Sequence, residues 1–150
     1  MLRDPSLIPL SHQHQHALAM CVLTRRSLGE DGSPANVARL AGRAVDRYDL
    51  EIANHFEIEE QILFPAIENA LGPLPLIAEL IAEHRQMEAL VSQLRSTPSA
   101  PLLEQLCALF DSHIRREERD LFQMAQSRLP QPVLSEVGAA IERKAVRICL

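Results

Sequence analysis

Three times along this chain a histidine is followed four residues later by a glutamate: His55 and Glu59, His84 and Glu88, His113 and Glu117. On a helix, positions i and i+4 lie one turn apart on the same face. Each pair can therefore present an imidazole nitrogen and a carboxylate oxygen to one point, or to two adjacent points. That donor set suits iron, manganese or zinc, and a carboxylate that spans two ions favours a two-metal centre. Three further histidines, His12, His14 and His16, crowd the N-terminus, so the six histidines fall in four separate places. A lone buried histidine is more often satisfied by hydrogen bonds than by a metal, so the spacing matters only if the four places meet.

The elements that would bring them together are set by the chain breakers. Gly29 to Pro34, Gly72-Pro73-Leu74-Pro75, Ser96 to Pro101 and Pro130-Gln131-Pro132 divide the sequence. Ser33 has the chemistry of an N-cap and Pro34 that of a first helical residue. Four long helical segments are predicted, roughly 7–28, 34–71, 75–95 and 101–128, with a short tail helix from about 132 to 147. No segment alternates as a strand would. Pro65, inside the second segment, predicts a kink or a loosened last turn there.

Each segment carries an apolar stripe at 3-4 spacing that turns polar only at its centre. In the second, Ala41, Val45, Tyr48, Ile52, His55, Glu59, Ile62 and Ala66 follow one frame. The third gives Ile77, Leu80, His84, Met87, Val91 and Leu94. The fourth gives Leu103, Leu106, Phe110, His113, Glu117, Leu121 and Met124, with one step of four repeated. In the first, Leu7, Leu10, His14, Ala17, Cys21, Thr24 and Leu28 continue a seam. The frame through His12 and His16 turns Pro9, Ala19, Leu23 and Arg26 inward, a poorer stripe, but keeps those two histidines as alternatives to His14. Stripes of this kind face the interior of a bundle, so the polar residues are buried by the periodicity that buries their neighbours.

Antiparallel helices joined by short turns place residues equidistant from a turn at similar heights. His84 lies 12 residues beyond Gly72, with Glu59 and His55 13 and 17 before it. His84 and His113 lie 14 and 15 residues either side of Pro98. The first pair matches less well, His14 being 17 residues before Asp31 and His55 24 after it. The off-seam glutamates Glu57, Glu60 and Glu118 read as solvated or as supports behind the ligands. Glu118, five residues after His113, reaches a metal only if the helix is locally bulged. Glu88 sits one position off its seam at Met87.

Composition narrows the function classes. The chain has 150 residues, 47% apolar and 23% charged, which fits a single domain with a genuine core. Aromatic residues make up 3% and Trp is missing, so the core is aliphatic, as helices allow. A net charge of −5 with Lys and Arg dispersed gives no reason to expect nucleic acid. No run approaches the roughly 18 apolar residues of a membrane span, and the N-terminus lacks the pattern of a signal peptide. Cys21, Cys107 and Cys149 have no metal-like spacing, and reduced thiols point to the cytoplasm. The tail from Pro130 is amphipathic, suited to capping the bundle or to pairing two copies as a homodimer.

The segments HFEIEEQILFPAIE, AEHRQMEAL and HIRREERDLF, together with the His-rich first segment, resemble the hemerythrin HHE cation-binding family over about residues 7–127. The resemblance implies an all-α, up-down-up-down four-helix bundle with a non-haem diiron centre, here with a short C-terminal helix. It implies His14, His55, His84 and His113 as terminal nitrogen ligands and Glu59 and Glu117 as bridges, with zinc or manganese as substitutes for the two iron ions. O₂-carrying hemerythrins place H-x-x-x-H on the third helix, where this chain has His84 and Glu88. They end in H-x-x-x-x-D, where it offers Glu117 or Glu118. The set is similar to the carboxylate-richer branch, which includes iron-centre repair proteins and an iron-sensing domain. Two function classes follow. One is a module that binds or senses O₂, NO or iron. The other is a diiron enzyme acting on peroxide, NO or O₂ in stress defence or iron-centre repair. No separate general acid, base or nucleophile stands out, which favours the first.

Overall fold

A proline stands in the first turn of every long helix. A 3₁₀ turn, Pro5–Leu7, is capped by the Asp4 side chain, which accepts from the Ser6 N–H at 2.9 Å, and leads into helix α1, Ile8–Glu30. Helix α2 runs over residues 34–71. Ser33 caps it by accepting from the Asn36 N–H at 3.3 Å, with Pro34 in the first turn, where its missing N–H costs nothing. It stops at Gly72, whose φ of 85° lies in the left-handed region that favours glycine. Helix α3 is Pro75–Ser96, α4 covers residues 100–128 behind the Ser99 cap, and α5 is Gln131–Lys144.

These are the elements of a computed structural model, which describes residues 2–147; Cys149 lies outside them. Among the described residues the fold is all helical. The limits read from the sequence hold to within one or two residues, except that the last helix ends at Lys144 rather than about 147. Helix α1 packs against α2 and α4, and α3 against the same two, while α5 lies across the Pro5–Leu7 turn and the middle of α2. None of the described helices is long and apolar enough to cross a membrane.

The rods are not uniform. Three π-turns interrupt them, Tyr48–Ile52 and Glu59–Leu63 in α2 and Glu117–Leu121 in α4. A π-turn holds one residue more than an α-turn, so the inward stripe changes frame across it. In α2 Ala41, Ile52, His55 and Glu59 of the predicted seam are buried, while Val45 and Tyr48 are only partly so. Beyond Glu59, Leu63, Phe64 and Ile67 are buried, while the predicted Ile62 and Ala66 are only partly so. In α4 the repeated step of four from His113 to Glu117 to Leu121 coincides with the π-turn. Phe122 and Ala125 are buried beyond it in place of Met124. The expected disturbance at Pro65 takes this form: the second π-turn ends just before the first turn of Phe64–Leu71, which contains the proline.

The apolar interior falls into two clusters. One gathers Met20, Cys21, Leu40, Ile52, Phe56, Met87, Leu94, Leu106 and Phe110. The other gathers Leu7, Leu10, Ile58, Phe64, Ile67, Leu80, Phe122, Leu134 and Ile141. Cys21 and Cys107 are free, buried thiols in the first cluster. A hydrogen bond shared with Cys107, and then burial, hold the Cys21 thiol well above its ordinary value and hence protonated. The fifth helix adds Leu134, Val137 and Ile141 to the second cluster.

Gly138 is what allows α5 to approach so closely. A Cβ built there would lie 2.6 Å from Ser6 Oγ and 2.9 Å from the Ser6 Cα. Gly138→Ala is therefore expected to destabilise the protein by about 1–3 kcal/mol in urea denaturation. Gly42→Ala in α2, with nothing near the added methyl, is expected to stabilise it by up to about 1 kcal/mol. Equal effects of the two substitutions would remove the packing explanation.

Candidate metal centre

The two apolar clusters are separated by a polar layer to which all four long helices contribute. His14 comes from α1, His55 and Glu59 from α2, His84 from α3, and His113 and Glu117 from α4. None is more than 4% exposed. Their donor atoms form two overlapping groups, His14, His55, Glu59 and Glu117, and Glu59, His84, His113 and Glu117, in each of which all the atoms lie within 4.8 Å of one another. Glu59 Oε1 stands 3.2 Å from His55 Nε2 and 3.1 Å from His84 Nε2. Glu117 Oε1 stands 3.5 Å from His14 Nε2 and 2.6 Å from His113 Nε2. Each carboxylate thus touches one histidine of each group.

These short separations are not hydrogen bonds. Nine buried nitrogen and oxygen atoms of the six side chains lack a hydrogen-bond partner: both ring nitrogens of His14, Nε2 of the other three histidines, and both oxygens of each glutamate. Leaving such groups unmatched in an apolar interior costs several kcal/mol in sum. They converge on shared points, as donors do around a cation, and two imidazoles with two carboxylates are a fitting set for a first-row transition metal.

The imidazoles are held from behind. His55 Nδ1 meets Gln13 Oε1 at 2.9 Å, His84 Nδ1 meets Glu60 Oε2 at 2.7 Å, and His113 Nδ1 meets Glu83 Oε1 at 2.8 Å. A proton on Nδ1 then donates outward and leaves the Nε2 lone pair facing the cluster, the arrangement usual for metal-bound histidine. Arg85 pairs in turn with Glu60, and Arg116 Nη1 with Glu83 at 3.0 Å. His14 is held less firmly, its Nδ1 lying 3.6 Å from Glu118 Oε2, too far for a hydrogen bond. Its ring stacks on Phe122, and that of His84 on Phe56, with centroids 5.4 and 3.9 Å apart.

The hemerythrin HHE cation-binding domain model matches residues 9–130. The chain belongs to that family. Neither the curated proteins nor the solved structures show a significant match to it.

Within this hemerythrin-type domain, four residues weighed as ligands from the sequence are not brought into the cluster. His12 is exposed, and His16 points to the opposite side of α1, where its Nδ1 meets Glu51 Oε2 at 2.7 Å. The height mismatch did not tell against His14, whose ring lies 4.5 Å from that of His55. Glu88 is turned outward, 3.1 Å from Arg85, because one position off the seam is about 100° around the helix. Glu118 lies behind His14 instead of among the donors, accepting from the Ser11 hydroxyl at 2.8 Å and pairing with Arg3. The π-turn that could have carried it inward begins at Glu117, after the helix has already fixed His113 and Glu117 on one face. Gln13 and Glu83 went unremarked in the sequence, since nothing in their own spacing sets them apart; Glu60 was marked only as solvated or supporting.

Burial governs the charge states. It pulls His113 down to about 3 from an ordinary 6.5 and lowers His55 as well, so both imidazoles are neutral and offer lone pairs. For the metal-free protein the sign follows. The two histidines have folded values below the unfolded one, so their stability contribution is complete above the ordinary histidine range. It is lost as pH falls through about 6.5 towards the folded values, each adding a slope of up to about 1.4 kcal/mol per pH unit. Urea denaturation of the metal-free protein is expected to show stability falling steadily from pH 7 to pH 5. A flat profile would contradict the assignment of neutral imidazoles.

Proposed function

We propose that this chain is a non-haem diiron protein that binds or senses a small molecule, O₂ or NO, in an up-down-up-down four-helix bundle closed at one end by α5. The observation that carries the reading is the pair of overlapping donor groups with Glu59 and Glu117 common to both. His14 and His55 would hold one iron, His84 and His113 the other, and the two glutamates would bridge them. Zinc and manganese suit the same donors. When bound, a pair of iron ions supplies open coordination positions and reducing electrons for a diatomic ligand or a peroxide.

The chain's own residues shape the space for such a ligand. Beside His14, His55 and His113 lies a cavity of about 10 Å³, measured as the space open to the centre of a water-sized molecule. It is walled by Ala17, Ile52, Phe56, Phe110 and Ile114, with Gln13 its one polar residue besides the histidines. A space of that size is at the lower limit for one water-sized molecule, and its walls are apolar apart from Gln13 and the histidines. Beyond the proposed ligands it offers no proton-transfer group, which favours binding or sensing over turnover.

Protein produced with iron is expected to contain two iron ions per chain and to change its visible absorption reversibly with NO or O₂. Glu59→Ala and Glu117→Ala, which each remove a donor from both groups, are expected to lose both ions. His12→Ala and Glu88→Ala should retain them. Glu60→Gln and Glu83→Gln, which weaken the support of His84 and His113, are expected to lower iron affinity by about 10–100-fold. Loss of iron from the His12 or Glu88 variants, or one ion per chain in the native protein, would refute the assignment. Sustained consumption of peroxide or NO would move the protein to the enzyme class.

A further inference from the structure

Gln13 occupies two places at once. Its side chain lines the small cavity beside His14 and His55, and it also lines a much larger groove of about 550 Å³ on the outside of the molecule. The groove runs between the start of α1, marked by Ile8, His12 and His16, and the chain beyond α5, marked by Val146 and Arg147. Of the residues around the cavity, Gln13 alone also borders this groove. It is 5% exposed and is the residue the two spaces share.

That residue is latched. Gln13 Oε1 meets His55 Nδ1 at 2.9 Å, and Gln13 Nε2 donates to Asn54 Oδ1 at 3.1 Å. The same Asn54 oxygen accepts from the Val146 N–H at 3.1 Å, and Asn54 Nδ2 donates to the Lys144 carbonyl at 3.0 Å. Asn54 lines neither the cavity nor the groove. A chain of hydrogen bonds therefore joins the backbone after α5 to the imidazole of His55, with Gln13 as its movable middle link. The other imidazoles with a partner on Nδ1 are backed by carboxylates paired with arginine. His55 alone among them is backed by a neutral amide, which rotates away without uncovering a charge.

We infer that small ligands reach the cavity from this groove, and that the Gln13 side chain, latched by Asn54 to the chain after α5, is the gate they pass. The inference rests on the proposed binding of a small molecule beside His14 and His55. A gate changes the rates of entry and exit equally and leaves affinity alone, whereas a residue that only positions His55 changes affinity.

The test follows NO binding to the iron-loaded protein by stopped-flow absorption. Gln13→Ala removes the gate and the partner of His55 Nδ1 together, so both rate constants are expected to rise by about tenfold, the factor that a lost hydrogen bond or two represents, with a change in Kd added by the freed imidazole. Asn54→Ala, which loosens the latch without touching cavity or imidazole, is expected to raise both rate constants by a smaller common factor with Kd unchanged. Iron content and circular dichroism establish that each variant is folded and loaded; if Gln13→Ala is not, Asn54→Ala decides. Rates unchanged in a loaded variant, or a change in dissociation alone, would overturn the gate while leaving the binding site standing. Native protein that takes up no NO would overturn the binding reading and the gate with it.

Discussion

Two carboxylates and four imidazoles face one another in an apolar interior with no hydrogen bond among them, and the rest of the molecule is arranged around that fact. Groups so placed would ordinarily be excluded from a core or matched by hydrogen bonds. Here the four long helices each give up part of an apolar stripe to carry them, and the hydrophobic interior is divided in two as a result. The clusters on either side fix the helices at both ends of the layer. The donors are thereby held near one another by packing that does not involve them, which is how a rigid scaffold positions a site.

Charge is handled in concentric fashion. Innermost are the carboxyl groups of Glu59 and Glu117. Around them lie the four imidazoles, then the carboxylates of Glu60, Glu83 and Glu118, and outermost Arg85, Arg116 and Arg3. Each outer carboxylate orients an imidazole or stands close behind one, and each is partly neutralised by an arginine that reaches solvent. The arrangement lets a cluster of cations sit at the centre without an unpaired charge anywhere between it and the surface. His55 departs from it, being backed by Gln13, and that departure is what opens the molecule to its outer groove.

Much of this was legible from residue spacing. The seam through Leu7, Leu10, His14, Ala17, Cys21 and Thr24 is buried as read, and so are Ile77, Leu80, His84, Met87, Val91 and Leu94, because α1 and α3 are uninterrupted helices and a 3-4 count stays in phase along them. The count fails where the helix itself changes. Ile62, Ala66 and Met124 were expected inward and are displaced by neighbours one residue on, since a π-turn is decided by how helices meet and by Pro65, neither of which a single-segment count contains. The supports Gln13 and Glu83 lay beyond reach for another reason. Each belongs to a different helix from the histidine it holds, and only the relative rotation of two packed rods brings them together.

The π-turns at Glu59 and Glu117 sit at equivalent points, each beginning on a glutamate placed four residues after a histidine. The turn N-terminal to each is set by the demands of the donors, and the turn C-terminal to it by the demands of packing against the Leu7 and Leu134 end of the molecule. One additional residue rotates the following helix by about 100°. Each rod is thus rephased at its glutamate, α2 at Glu59 and α4 at Glu117. Drift in the lower segments of α2 and α4 can proceed without turning His55, Glu59, His113 or Glu117 out of the core. The rephasing insulates the polar layer from substitutions in the segments beyond it.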